Sequence, residues 1–194
     1  MKGIDVSSNQ HPANQPIDWE KVADAGWGFA IVKATQGTSY TNPWLARDLD
    51  DARAAGLFVG AYHFYETGPS PESQAEYFVA ACMGQVLDLG AWLDWEPPAM
   101  QQWEISSAYN GFMETAHKAR PGCGVYCDEP WLTELKGAMV TPSRLWVASW
   151  GGEQPKGCLL WQDATNQTVP GVPAEVDTDV MVNARAFNLP SQPA

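Results

Sequence analysis

The sequence predicts a single-domain α/β barrel, in which parallel βα units are followed by strands that close the sheet without helices. Three observations lead there. Strand-like and helix-like segments alternate from the first residues to about residue 136, the order of βα units. Three more strand-like segments follow with little room for helices between them, which brings the strands to eight, enough to close a barrel. At 194 residues the chain is long enough for a full hydrophobic core and for a small barrel of this kind.

In chain order, "GIDVS" (3–7) is a short strand. "IDWEKVADAG" (17–26) reads as a helix, with Asp18 as its cap and Gly26 as its stop. "GFAIVKA" (28–34) is the second strand, and "NPWLARDLDDARAAG" (42–56) is the second helix, opened by Pro43 near its first turn. "LFVGAYHFY" (57–65) is the third strand; a Gly-Pro loop leads to a third helix over "SPESQAEYFVAACM" (70–83). The fourth strand is "AWLDW" (91–95), the fourth helix lies within 104–119, and "CGVYC" (123–127) is the fifth strand. After a short helix near 130–136 come "RLWVASW" (144–150), "CLLWQD" (158–163) and "EVDTDVMV" (175–182), bare strands. The barrel is assigned to residues 1–188, and 189–194 to a frayed tail or the beginning of a linker.

Composition excludes several classes of function. The net charge of −12, from 23 acidic against 11 basic residues, opposes binding to nucleic acid or to an anionic membrane surface. No apolar run approaches the roughly 20 residues of a membrane span, and Met1 is not followed by a signal-peptide core. The expectation is a soluble chain made in the cytoplasm without an export signal. Cys82, Cys123, Cys127 and Cys158 are expected as free core thiols, with one disulfide as the alternative. No histidine stands at ligand spacing from them, so neither a metal nor a cofactor is expected. Of the ten tryptophans several must pack the core, but Trp95, Trp103, Trp150 and Trp161 fall in or beside loops, where flat rings can stack on sugars.

In a βα barrel the active site forms at the carboxyl ends of the strands. Those ends supply Asp5, Lys33, Tyr62 with His63, Asp94 with Glu96, Tyr126, Trp150, Gln162, and Asp177 with Asp179. Asp94 and Glu96, two apart in "LDWEPP", share one face of a strand. Acids converging on one pocket repel each other, so at least one keeps its proton near neutrality, the condition for a general acid. Taken singly, each residue has an ordinary explanation. A D-x-E can be a pair of capping or surface acids, Asp5 a loop anchor, Asp177 and Asp179 parts of a solvated turn, and Lys33 a counter-ion. Tyr62 and His63 alternate faces, and Tyr62 is the one expected toward the pocket. The combination carries the reading.

"GIDVSSNQ", "IDWEKVADAGWGFAIVKATQGTSYTNP", "GAYHFY", "LDWEP", "LWVASW", "LLWQ" and "VDTDV" together resemble glycoside hydrolase family 25, in order and over essentially the whole chain. The resemblance implies an irregular, flattened, TIM-like (β/α)5(β)3 barrel. It also implies a muramidase, or lysozyme, that hydrolyses the β-1,4 bond between N-acetylmuramic acid and N-acetylglucosamine in bacterial peptidoglycan. Glu96 would then be the proton donor, Asp94 the support of the sugar in the transition state, and Asp5 and Asp177 two further pocket carboxylates. Tyr62, Tyr126, Trp150, Gln162 and Lys33 would line the substrate. The chain departs from the family at "KATQG", where Gln36 stands for a common glutamate, and at Trp150, where tyrosine or a similar residue is frequent.

Glycosidic cleavage requires an acid for the leaving oxygen and a group that stabilises positive charge at the anomeric carbon. Between Trp95 and Pro97, Glu96 is expected to be protonated and Asp94 ionised. Either the substrate's 2-acetamido oxygen attacks, with retention, or Asp5 or Asp177 attacks directly or only stabilises an oxocarbenium ion. Two other functions compete: a non-catalytic wall-glycan-binding barrel, of which Gln36 would be an early sign, and a chitinase-like glycosidase. Without an export signal, a phage endolysin released by a holin fits better than a secreted enzyme, and the protein is expected to be a monomer. A separate wall-binding module, usual in such enzymes, is not visible.

Overall fold

The computed structural model describes residues 1–189, so residues 190–194 of the expected tail lie outside it. The elements follow in the expected order. They are β1 (Lys2–Val6), α1 (Trp19–Asp24), β2 (Phe29–Gln36), β3 (Tyr40–Thr41), α2 (Leu45–Ala54), β4 (Phe58–Phe64) and α3 (Pro71–Ala81). Then come β5 (Gly90–Asp94), α4 (Gln102–Ala119), β6 (Gly124–Asp128), α5 (Glu129–Gly137), β7 (Leu145–Ala148), β8 (Leu160–Gln167) and β9 (Val176–Met181). The sheet runs β1-β9-β8-β7-β6-β5-β4-β2-β3, and a β1–β2 pairing closes eight of its strands into a barrel. The two-residue β3 folds back on Thr35 and Gln36 as a flap on β2 that strand periodicity is too short to reveal.

Local chemistry sets the helix ends. Asp18 accepts the Lys21 N–H at the start of α1, and Gly26 follows its end with φ at +88°, a conformation glycine adopts without steric cost. Ser70 and Asp128 cap α3 and α5 in the same way, each followed by a proline in the first turn.

One correction to the parallel pattern matters for function. The strands from β1 through β8 pair parallel in the barrel wall, but β9 runs antiparallel to both neighbours, β1 and β8. Its first residues, and not its last, therefore lie at the carboxyl mouth, with Asp177 opposite Asp5 and Asp179 opposite Gly3.

Strand alternation divides the apolar residues into two cores. The larger packs the outer face of the sheet against the helices; Ile4, Val32, Val59, Leu93 and Val125 contribute from the strands, Leu49, Phe78 and Phe112 from the helices. The smaller fills the barrel interior with Phe29, Ile31, Trp92, Trp146, Leu160 and Met181. Gly3 and Gly124 make room for these rings, since a Cβ at either would collide with Phe29 or Trp92. One step toward the mouth, residues of the same inward parity are polar: Asp5, Lys33, Tyr62, Asp94, Tyr126, Gln162 and Asp177. The interior is thus a packed plug beneath a polar floor.

Candidate active site

An open cleft of about 440 Å³ lies over that floor. Of the strand-end residues singled out in the sequence, nine line it: Asp5, Lys33, Tyr62, Asp94, Glu96, Tyr126, Trp150, Gln162 and Asp177; His63 and Asp179 do not. Asp94 ends β5 and is buried; the backbone alternates once more through buried Trp95, and Glu96 emerges beyond the strand at the exposed edge. The shared face expected of the two acids is the cleft.

Gln162 organises the opposite wall. Its Nε2 donates to Asp5 Oδ2 at 2.8 Å, while its Oε1 accepts from the Tyr126 hydroxyl at 2.9 Å and from Trp150 Nε1 at 3.0 Å. This sets the amide's orientation, because its oxygen can only accept and its nitrogen only donate. The Tyr126 hydroxyl proton is thus committed to Gln162, on the cleft that Glu96 also lines. Asp177 is held by the N–H of Asn166 at 3.1 Å. Lys33 lies between the rings of Phe64 and Tyr40 and donates to Gln36 Oε1 at 2.6 Å. Gln36 in turn donates to Glu66 at 2.7 Å. The carboxylate that Gln36 lacks is therefore supplied one side chain further out.

Burial dominates the electrostatics. It pushes the Asp5 carboxyl up to about 7, with the Asp177 charge adding to the effect and the Gln162 hydrogen bond opposing it. Asp177 and Glu96 are raised by the same desolvation. Asp94 is raised well above the usual carboxylate range, first by burial and then by the Glu96 charge, against the pull of Lys33. That direction runs against the ionised Asp94 expected from the sequence. Asp94 is the deeper acid, with Oδ1 buried and unpartnered, surroundings that disfavour its charged form.

The expectations for Trp95, Trp103, Trp161 and Asp179 are corrected, while His63 and the four cysteines stand as expected. Trp95 is not a loop platform: it is fully buried against Tyr65, Tyr109 and Trp131. Trp103 is 71 % exposed on α4 and Trp161 is half-buried, and neither lines the cleft. His63 points away from the cleft, accepting from Thr35 at 2.7 Å and donating to Gln74 at 3.2 Å. Asp179 is no solvated turn residue but is fully buried. All four cysteines are free and buried. Ser7, Asn9, Phe64, Trp146, Thr165 and Asn166 complete the lining. Strand-end reasoning missed the first two and Asn166 because they lie in loops or past a register shift in β8.

Asp5, Asp94, Glu96 and Asp177, from separate strands and a loop, are thus gathered at the mouth of a (β/α)5(β)3 barrel. The chain belongs to glycosyl hydrolases family 25, whose model matches residues 4–172. It is 32% identical over 199 residues to lysozyme M1 of Streptomyces globisporus, covering 91% of this chain and 66% of that protein. It is 29% identical over 184 residues to the autolytic lysozyme of Clostridium acetobutylicum, covering 92% of this chain and 55% of that one. The chain thus spans less than two thirds of either relative's own length. The crystal structure of the lysozyme from Streptomyces coelicolor superposes with a TM-score of 0.81 at 27% identity, over 96% of this chain and 94% of that one.

Proposed function

We propose that the protein is an N-acetylmuramidase, cleaving the β-1,4 bond between N-acetylmuramic acid and N-acetylglucosamine in bacterial peptidoglycan. The observation that carries this reading is the pairing of a buried acid, Asp94, with an exposed one, Glu96, on one wall of an open cleft. Its support is membership of the family and the likeness to lysozymes from Streptomyces and Clostridium.

The environments suggest how the proton is delivered. Burial, and after it the Glu96 charge, favour the neutral form of Asp94. A sugar acetamido N–H that donates to Asp94 favours its ionised form, and the proton then belongs to Glu96. Glu96, at the open edge, donates it to the leaving oxygen. The acetamido oxygen, oriented by Asp94, attacks the anomeric carbon as the protonated leaving group departs; water, giving its proton to Glu96, then opens the cyclic intermediate from the other side, so that two inversions retain the configuration, and Asp5 and Asp177 face the developing positive charge from the opposite wall. Trp150, 56 % exposed with its Nε1 tied to Gln162, offers a sugar-stacking face.

The test is clearance of purified cell walls by the parent and by Glu96→Gln, with mass spectrometry of the products. The variant is expected to fold normally and to lose roughly 100-fold or more in rate, and the parent to release fragments ending in reducing muramic acid. Reducing-end glucosamine, or equal clearance by the variant, refutes the assignment. A parent that binds walls without releasing fragments is a binding barrel.

A further inference from the structure

Beneath the cleft floor lies a carboxyl group that the proposed mechanism does not use. Asp179 is fully buried inside the barrel, yet its Oδ2 has no hydrogen-bond partner, while its Oδ1 accepts from Trp146 Nε1 at 2.7 Å. On the antiparallel β1–β9 pair it stands opposite Gly3, while Asp177 stands opposite Asp5, so the side chains of Asp5 and Asp179 are diagonal neighbours on the inner face of the barrel. Asp5 Oδ2 is taken by Gln162 and Asp179 Oδ1 by Trp146, which leaves the second oxygen of each for the other. Two ionised carboxylates so placed would repel in a desolvated site, and a buried, unpaired carboxylate oxygen is costly. One proton between them removes both problems.

We propose that Asp179 is a positioning residue of the cleft: a protonated carboxylic acid that donates a hydrogen bond to Asp5, so that Asp5 carries the pair's charge at the floor. Three features assign the proton to this member. Asp179 is wholly enclosed, whereas Asp5 opens to the cleft. Asp5 already receives a donor from Gln162, which favours its ionised form. The remaining charges around Asp179 are also negative, Asp177 on its own strand and Asp163 on β8, with the Tyr126 phenol beyond. Lys2, on β1, stands over Trp27 on the outer side of the sheet and offers no compensation inside. Burial and the Asp5 charge accordingly hold Asp179 well above the usual carboxylate range. As far as it concerns catalysis, the inference rests on the muramidase reading; as far as it concerns the pair, it does not.

The experiment follows the Asp5 carboxyl by carbon NMR through a pH titration in the parent, Asp179→Asn and Asp179→Leu, beside wall clearance across the same pH range. Asparagine keeps a donor toward Asp5 and an acceptor toward Trp146, so Asp5 is expected to titrate close to its parental pH. Leucine removes the donor, and the Asp5 titration is expected to rise by about 1 to 2 pH units, the value of a hydrogen bond to a charged group. The limb of the clearance profile that follows Asp5 moves with it. Titration below the parent's in Asp179→Asn means that Asp179 was the charged member, and overturns the proposal. So does an unchanged value in Asp179→Leu. Should the leucine variant not fold, the infrared difference spectrum between parent and Asp179→Asn at neutral pH decides, since the Asp94 band is common to both: a lost protonated-carboxyl band is expected, and a flat difference overturns the proposal. Expected titrations in a protein that clears no walls would refute the muramidase reading alone.

Discussion

Replacing Asp5 with asparagine is expected to make the protein more stable at alkaline pH while removing a pocket carboxylate. Burial and the Asp177 charge raise the folded-state value of Asp5 from 3.8 to about 7. An acid whose value is raised by folding favours the fold while protonated. That contribution is complete below about 3.8, declines as pH rises, and is gone above about 7. At 1.36 kcal/mol per pKa unit the interval corresponds to about 4 kcal/mol, an upper bound because Asp5 is open to cleft water, which screens part of the cost. Asparagine escapes the loss, since it carries no charge at either pH and its oxygen accepts from Gln162. Urea denaturation of parent and Asp5→Asn at pH 4 and pH 8 measures the effect. The stability gap should be near zero at the lower pH and open in favour of the variant at the higher. Equal gaps at the two pH values, or a variant weaker than the parent at pH 8, would show that Asp5 is not buried against its charge.

Gln162→Leu strips partners from Asp5, Tyr126 and Trp150 together, and a cost of roughly 1–3 kcal/mol is expected in denaturation, with loss of wall clearance. Retained clearance would deny Gln162 its organising position. His63, neutral between Thr35 and Gln74, has its value lowered by burial from 6.5 to about 4. Its contribution to stability is full above about 6.5 and is lost as pH falls toward 4; imidazole NMR should show no protonation at pH 5.5, and a titration near 6.5 would refute the burial argument. The four thiols, with Cys82, Cys123 and Cys127 pushed up to about 12, should not react with a thiol reagent in the native state and should react fully in denaturant. Fast native labelling would contradict their enclosure.

Much of this architecture was legible in the linear order of residues. Alternating βα segments followed by bare strands report the barrel because hydrophobic periodicity is local, and each strand and helix carries its own. The D-x-E at the end of a strand reports a shared face for the same reason: alternation at a period of two is a property of the backbone, and it continued through Trp95 to bring Asp94 and Glu96 to one wall.

What the tertiary structure alone decided depends on contacts between distant segments. The reversal of β9 brings Asp177 to the mouth and Asp179 beneath it, and no local signal records strand direction. The depth of each acid is likewise collective. Asp94, expected to be charged, is the more enclosed member of its pair because of what packs around it, while Glu96 two residues later is exposed. Trp95, which could have served as a platform, became core for the same reason. Ionisation follows the dielectric and the charges around a group in space, so residue types and spacing determined which acids would meet, and the closing of the barrel determined which of them keep their protons.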